Sequence, residues 1–138
     1  MEAYCIERFG SVDGIVLRSS TDPQPGTKEI LMRVRASSLN HRDLMVLKGG
    51  GRGPTKLGVV PLSDGAGEVA AIGERVTRVK IGDRIAGCFH PRWFGGPITP
   101  DYLTDRLGAN LDGMLAEHAM FCCAAQAAMA AVVHIEIT

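Results

Sequence analysis

Between Lys56 and Phe89 the chain runs KLGVVPLSDGAGEVAAIGERVTRVKIGDRIAGCF, with valine, isoleucine and glycine in quick succession. Apolar runs there last only a few residues before a glycine or proline interrupts them, which leaves no room for a long helix. β-Branched residues bounded by turn formers read instead as several short strands, with turns at Gly73-Glu74 and Gly82-Asp83. Many short strands joined by glycine turns build a barrel or a sandwich.

The flanking segments fit the same scheme. Ala3 to Arg8 and Gly14 to Arg18 are short strand candidates, and the loop SSTDPQPGT follows. In EILMRVRASSLN, Ile30, Met32, Val34 and Ala36 alternate with Arg33 and Arg35, the pattern of a half-buried strand. Residues 41 to 48 form a short helix. Asn40 is placed to cap it and Asp43 stands at the third helical position, where a capping-box acid belongs. KGGGRGP ends that helix in a loop, and GMLAEHAMF is a further strand candidate. The last stretch, CCAAQAAMAAVVHIEIT, abandons this grammar for alanine and lacks turn signals.

Two glycine motifs invite a nucleotide reading and fail it. GAGEVA spells Gly65-x-Gly67-x-x-Ala70, with Asp83 at a plausible distance for a ribose acid. That fingerprint needs a helix opening at its glycines to aim an N-terminus at pyrophosphate. Here Gly73 arrives within six residues of Gly67, so the glycines mark close backbone approach in a strand. GGGRGP lacks the lysine and hydroxyl residue of a phosphate loop.

Charge excludes other classes. Fifteen basic residues balance fifteen acidic ones over 138 residues, so no global field draws this single domain to nucleic acid or to anionic membrane. No apolar run reaches the length of a membrane span, and MEAYCIERFG lacks the basic and apolar regions of a signal peptide. Cys5, Cys88, Cys122 and Cys123 do not form a disulfide framework or a zinc knuckle, which fits reduced thiols in the cytoplasm. Cys88 and His90 could share a strand face, but no paired ligand spacing accompanies them, and no Gly-x-Ser-x-Gly elbow is present.

Two polar clusters remain. Asn40, His41, Arg42 and Asp43 stand side by side, and Ser63 and Asp64 sit in the apolar, glycine-rich PLSDGAGE. Local physics explains the first cluster as a capped helix start with solvated charges. A carboxylate in an apolar strand region needs a partner, and a meeting of Ser63 and Asp64 with the Asn40 cluster would supply one.

ILMRVRASSLNHRDLMVLKG, VVPLSDGAGEVAAIGERVTRVKIGDRIAG and DGMLAEHAMF, in that order, resemble the medium-chain dehydrogenase/reductase superfamily over roughly residues 1 to 121. The match is to its N-terminal, GroES-like catalytic domain. The resemblance implies a mainly β fold with short helices, a partly open barrel. SLNHRDLMVLKG with PLSDGAGEV looks most like the zinc-lacking, quinone-oxidoreductase-like branch. Zinc members carry Cys-His-x-Asp where this chain has Asn40 to Asp43, and Gly-His-Glu where it has Leu62, Ser63 and Asp64. An amide and a hydroxyl cannot replace thiolate and imidazole on zinc, so no zinc is expected.

The resemblance further implies hydride transfer from NADP(H) or NAD(H) to a small carbonyl or quinone substrate. Asn40, Asp43, Ser63 and Asp64 become the candidate catalytic residues. His41 matches a position that approaches the cofactor pyrophosphate, and Asn40 one beside the nicotinamide. The expected organisation is a GroES-like domain over 1–121 and an atypical, altered-looking tail over 122–138, without the Rossmann cofactor domain. Such a chain is expected to be inactive alone, to lie in the cytoplasm and to form homo-oligomers. The competing readings are a non-catalytic GroES-like interaction module and a fragment of a zinc-dependent alcohol dehydrogenase.

Overall fold

A computed structural model describes residues 1–50, 53–93 and 95–122. The alanine-rich tail and Cys123 lie outside the described residues. Strand β1 (Glu2–Ile6) pairs antiparallel with β2 (Ile15–Ser19) through a short 3-10 turn at Val12–Gly14. The long strand β3 (Glu29–Ser38) leads into helix α1 (His41–Leu47). Strands β4 (Asp64–Ile72), β5 (Arg84–Ala86) and β6 (His118–Cys122) complete an antiparallel sheet in the order β5-β4-β3-β6. An isolated bridge between Ala3 and Ala116 ties the hairpin to the segment that leads into β6. The two sheets do not close on each other, so the architecture is mainly β and a partly open barrel, as expected.

The core explains the alternation in β3. Ile30 and Met32 are fully buried, packed with Val69, Ile85, Met114 and Phe121. The expected face does not continue, however: Val34 is only half-buried and Ala36 is exposed. Register shifts between Leu31 and Met32 and between Val34 and Ala36 break the period-two pattern, because a bulge turns the following side chains. A second cluster of Ile6, Val46, Leu47, Val59 and Ala109 holds α1 against the hairpin. These apolar contacts stabilise a seven-residue helix that would not persist alone.

The region from Lys56 to Phe89 folds more simply than its sequence implies. Its named strands are the nine-residue β4 and the three-residue β5. Gly73 and Gly82 fall in the connection between them, Gly82 with φ 90°. No helix opens at Gly65 and Gly67, both of which lie within β4. A Cβ on Gly67 would stand 2.0 Å from the Arg33 carbonyl oxygen, and one on Gly65 would stand 2.8 Å from the Met114 side chain. Close approach of strand to strand and core explains both glycines. GMLAEHAMF is a strand only from His118, while Met114 drops into the core.

Candidate functional site

The register of β3 against β4 places the site. Ser38, at the end of β3, pairs with Asp64, at the start of β4. Asn40 lies two residues beyond Ser38, so the strand pairing carries the helix start to the carboxylate. The Asn40 Nδ2 donates to Asp64 Oδ2 at 2.8 Å, and Ser63 Oγ donates to Asp64 Oδ1 at 3.1 Å. The two polar clusters of the sequence thus meet in space.

Capping chemistry fixes the orientation of Asn40. Its Oδ1 accepts the Arg42 backbone N–H at 3.0 Å, and Asp43 Oδ2 accepts the Asn40 backbone N–H at 2.8 Å. The capping box expected from the sequence is therefore formed. Locked in this way, the amide spends its oxygen and one N–H on the protein and keeps a second N–H. Ser63 is buried, whereas Asp64 is exposed, so Asp64 is a paired surface carboxylate and not the desolvated one that its apolar surroundings in sequence imply. Burial raises the Asp43 carboxyl above the ordinary range, against the Asn40 N–H and the Arg42 charge, which favour the ionised form. His41 is exposed at the first helical position and enters none of these hydrogen bonds.

The turn into Ser63 carries backbone strain. Leu62 adopts φ 71°, a conformation that costs a side-chain-bearing residue about 1–2 kcal/mol. Two glycines hold it there: a Cβ on Gly113 would meet the Leu62 carbonyl oxygen at 1.9 Å, and one on Gly108 would meet its backbone at 2.8 Å. The family resemblance places a glycine at this position, and glycine takes that geometry freely. Here the leucine side chain is buried in the main core, which offsets the strain.

Behind α1 opens a cavity of about 370 Å³ that sequence reasoning did not identify. Arg42, Phe89, His90 and Arg106 line it, with Met45 and Leu103. The Arg42 guanidinium lies over the Phe89 ring, 4.4 Å from its centroid. Its Nη1 is 4.0 Å from Asp43 Oδ1, outside hydrogen-bond reach, and both Nη atoms are buried without a hydrogen-bond partner. Burial holds this guanidinium below its ordinary pKa; Asp43 opposes that effect, and Arg106 adds to it. Arg106 is buried and donates from Nη2 to the Pro54 carbonyl at 3.1 Å. His90 Nδ1 lies 3.2 Å from the Asp105 carbonyl and donates to it. Arg42 was visible as part of a polar cluster. Arg106, inside TDRLGAN, gave no signal beyond a charge between apolar residues.

Among the described residues no group of three His, Cys, Asp or Glu side chains converges. Asn40 and Ser63, at the positions of two zinc ligands in the resembling enzymes, are occupied with Asp64 and the helix cap. Among the described residues, Cys5, Cys88 and Cys122 are not joined in disulfides. No helix among the described residues is long and apolar enough to cross a membrane.

The family model of the alcohol dehydrogenase GroES-like domain matches residues 26–131. A zinc-type alcohol dehydrogenase-like protein of Schizosaccharomyces pombe is 37% identical over 92 residues, which are 67% of this chain and 27% of that protein. A putative alcohol dehydrogenase from Sinorhizobium meliloti superposes with a TM-score of 0.78 at 33% identity, covering 88% of this chain and 36% of the other. An NAD-dependent alcohol dehydrogenase superposes with a TM-score of 0.73 at 28% identity, over 88% of this chain and 37% of the other. The chain thus spans roughly a third of the length of the proteins it matches.

Proposed function

Because this chain belongs to the alcohol dehydrogenase GroES-like domain family, we propose that it is the substrate-side portion of a zinc-independent NAD(P)H oxidoreductase. The substrate class is a small carbonyl compound, enone or quinone. The observation that carries this reading is the 2.8 Å bond from Asn40 Nδ2 to Asp64. It holds an amide donor in a fixed orientation at the position where zinc members of the superfamily place a metal ligand.

When bound, NAD(P)H supplies a hydride and leaves as NAD(P)+. The substrate carbon takes the hydride, and its oxygen takes the electron pair and then a proton from solvent. The second N–H of Asn40 polarises that oxygen. Asp64, held by Ser63, fixes the amide plane, and Asp43 holds the Asn40 backbone. Quinones and enones need less polarisation than simple ketones, which matches an amide donor in place of a cation. His41, exposed beside Asn40, faces the cofactor pyrophosphate in this reading. The dinucleotide site comes from the rest of a longer polypeptide or from a second chain, so the 138 residues are inactive alone. The protein is assigned to the cytoplasm, as a homo-oligomer.

The zinc-type name of the fission-yeast relative favours a second reading, a zinc enzyme fragment, which the Asn40 and Ser63 chemistry opposes. A chimera decides between them. Residues 1–121 replace the matching region of the Sinorhizobium meliloti protein, and NADPH oxidation is followed with 1,4-benzoquinone. Turnover that falls on Asn40→Ala substitution supports the assignment. A folded chimera that binds NADPH but reduces neither quinone nor enone contradicts it.

A further inference from the structure

We propose that Leu62 is a positioning residue of this site: its left-handed backbone, clamped by the 108–114 segment, aims the Ser63 hydroxyl at Asp64 and so sets the plane of the Asn40 amide. The inference rests on the oxidoreductase reading only in giving that amide a substrate to polarise.

Backbone strain is the first argument. Leu62, at φ 71°, is the one side-chain-bearing residue with positive φ among the described residues, and it directly precedes Ser63. Strain of this kind persists only where the surroundings impose it. Here the Met114 N–H donates to the Leu62 carbonyl at 3.0 Å, and Gly108 and Gly113 approach the Leu62 backbone too closely to carry side chains themselves. The Gly113 N–H also holds the Val60 carbonyl at 2.8 Å, and Asp112 Oδ1 accepts the Val60 N–H at 3.1 Å.

Direction is the second. An extended strand sends successive side chains to opposite faces. Leu62 and Ser63 are nevertheless both buried, whereas Asp64, which opens β4, is exposed. The left-handed turn breaks the alternation: Leu62 enters the main core, and the Ser63 hydroxyl still reaches Asp64 Oδ1 at 3.1 Å. An exposed carboxylate has several rotamers open to it. Ser63 on one oxygen and Asn40 Nδ2 on the other hold Asp64 in one of them.

Shared anchorage is the third argument. The Met114 N–H holds the Leu62 carbonyl, and the Met114 carbonyl accepts Ser37 Oγ at 2.7 Å. Ser37 belongs to the end of β3 that presents Asn40, three positions further on. The clamp on Leu62 therefore also fixes the strand end that carries the amide, and the Ser63 hydroxyl and the Asn40 amide keep one spacing.

The test follows solvent exchange of the Asn40 side-chain N–H by NMR on the 138-residue chain, with thermal melts of the same samples. Leu62→Ile keeps the side-chain volume, but its β-branch disfavours the left-handed backbone. Leu62→Gly takes that backbone freely and loses the buried side chain. Leu62→Gly is therefore expected to melt lower than Leu62→Ile and yet to keep exchange within about twofold of wild type, while Leu62→Ile speeds exchange roughly fivefold. Ser63→Ala, which needs no backbone shift, is expected to speed it as much, and Leu62→Ile on top of Ser63→Ala to add little. Exchange that follows the melts, fastest in Leu62→Gly, overturns the proposal and leaves Leu62 a core residue. Unchanged exchange in Ser63→Ala overturns it too, even if neither Leu62 variant folds. In the chimera, turnover is expected to fall further with Leu62→Ile than with Leu62→Gly. The expected order of exchange without turnover in any chimera would count against the enzymatic reading alone.

Discussion

Asn40 and Asp64, 24 positions apart, are joined by a 2.8 Å hydrogen bond because Ser38 and Asp64 are register partners in β3 and β4. One amide thereby serves two structures: its oxygen caps α1 and its nitrogen holds the carboxylate. Substitutions at Asn40 can separate these duties.

Asn40→Ser keeps a good helix cap and removes the donor to Asp64. Its stability should stay within about 0.5 kcal/mol of wild type, whereas Asn40→Ala should lose about 1–2 kcal/mol. Urea denaturation measures both. In the active chimera the two variants should lose turnover alike. If Asn40→Ser retained full turnover, the amide would be a cap and nothing more.

The two carboxylates should behave differently. Asp43→Ala removes a nearly buried acceptor and leaves the Asn40 N–H unsatisfied, at a cost of about 1–3 kcal/mol. Asp64 is exposed, so Asp64→Ala should cost less than about 1 kcal/mol. Thermal melts that rank them the other way would show that the exposed pair, not the capping box, anchors the junction.

Asp43 also sets a pH dependence. Its folded pKa is raised, so between the ordinary carboxylate value and that raised value the native state binds more protons than the unfolded chain. Its contribution is therefore full at pH below about 4 and fades as pH climbs through the folded pKa. Against Asp43→Asn as the reference, the wild-type chain should lose relative stability from about pH 4 upward. A relative gain over that range would mean that the Asn40 N–H and Arg42 outweigh burial.

Gly67→Ala should disrupt β3–β4 pairing outright, since the added methyl meets the Arg33 carbonyl oxygen at 2.0 Å. Loss of the folded baseline in circular dichroism is the expected result. A stable Gly67→Ala protein would reopen the nucleotide-loop reading of GAGEVA.

Much of this was legible in the sequence, for local reasons. Asn40 and Asp43 obey helix-capping rules that operate over four residues, β1 and β2 are short segments separated by the turn-rich FGSVDG, and β3 opens with alternating apolar and charged residues. The approach of Asp64 to Asn40 depends on strand register, which spacing alone does not encode. The loss of alternation after Met32 follows from bulges that no period predicts. Arg106 comes from a distant segment and reaches the Arg42 cavity only through the tertiary fold. Leu62 is a similar case: a leucine in left-handed geometry contradicts its own propensity, and only Gly108 and Gly113 packing on its backbone explain it.

The central claim is that an amide held by Asp64 does at this site what a metal does in zinc relatives. The most direct test is enone reduction by the chimera before and after exhaustive treatment with a zinc chelator, with zinc content measured on the same samples. The account predicts turnover unchanged by chelation and no stoichiometric zinc in the transplanted site. Activity that disappears on chelation and returns with one zinc per site would contradict it.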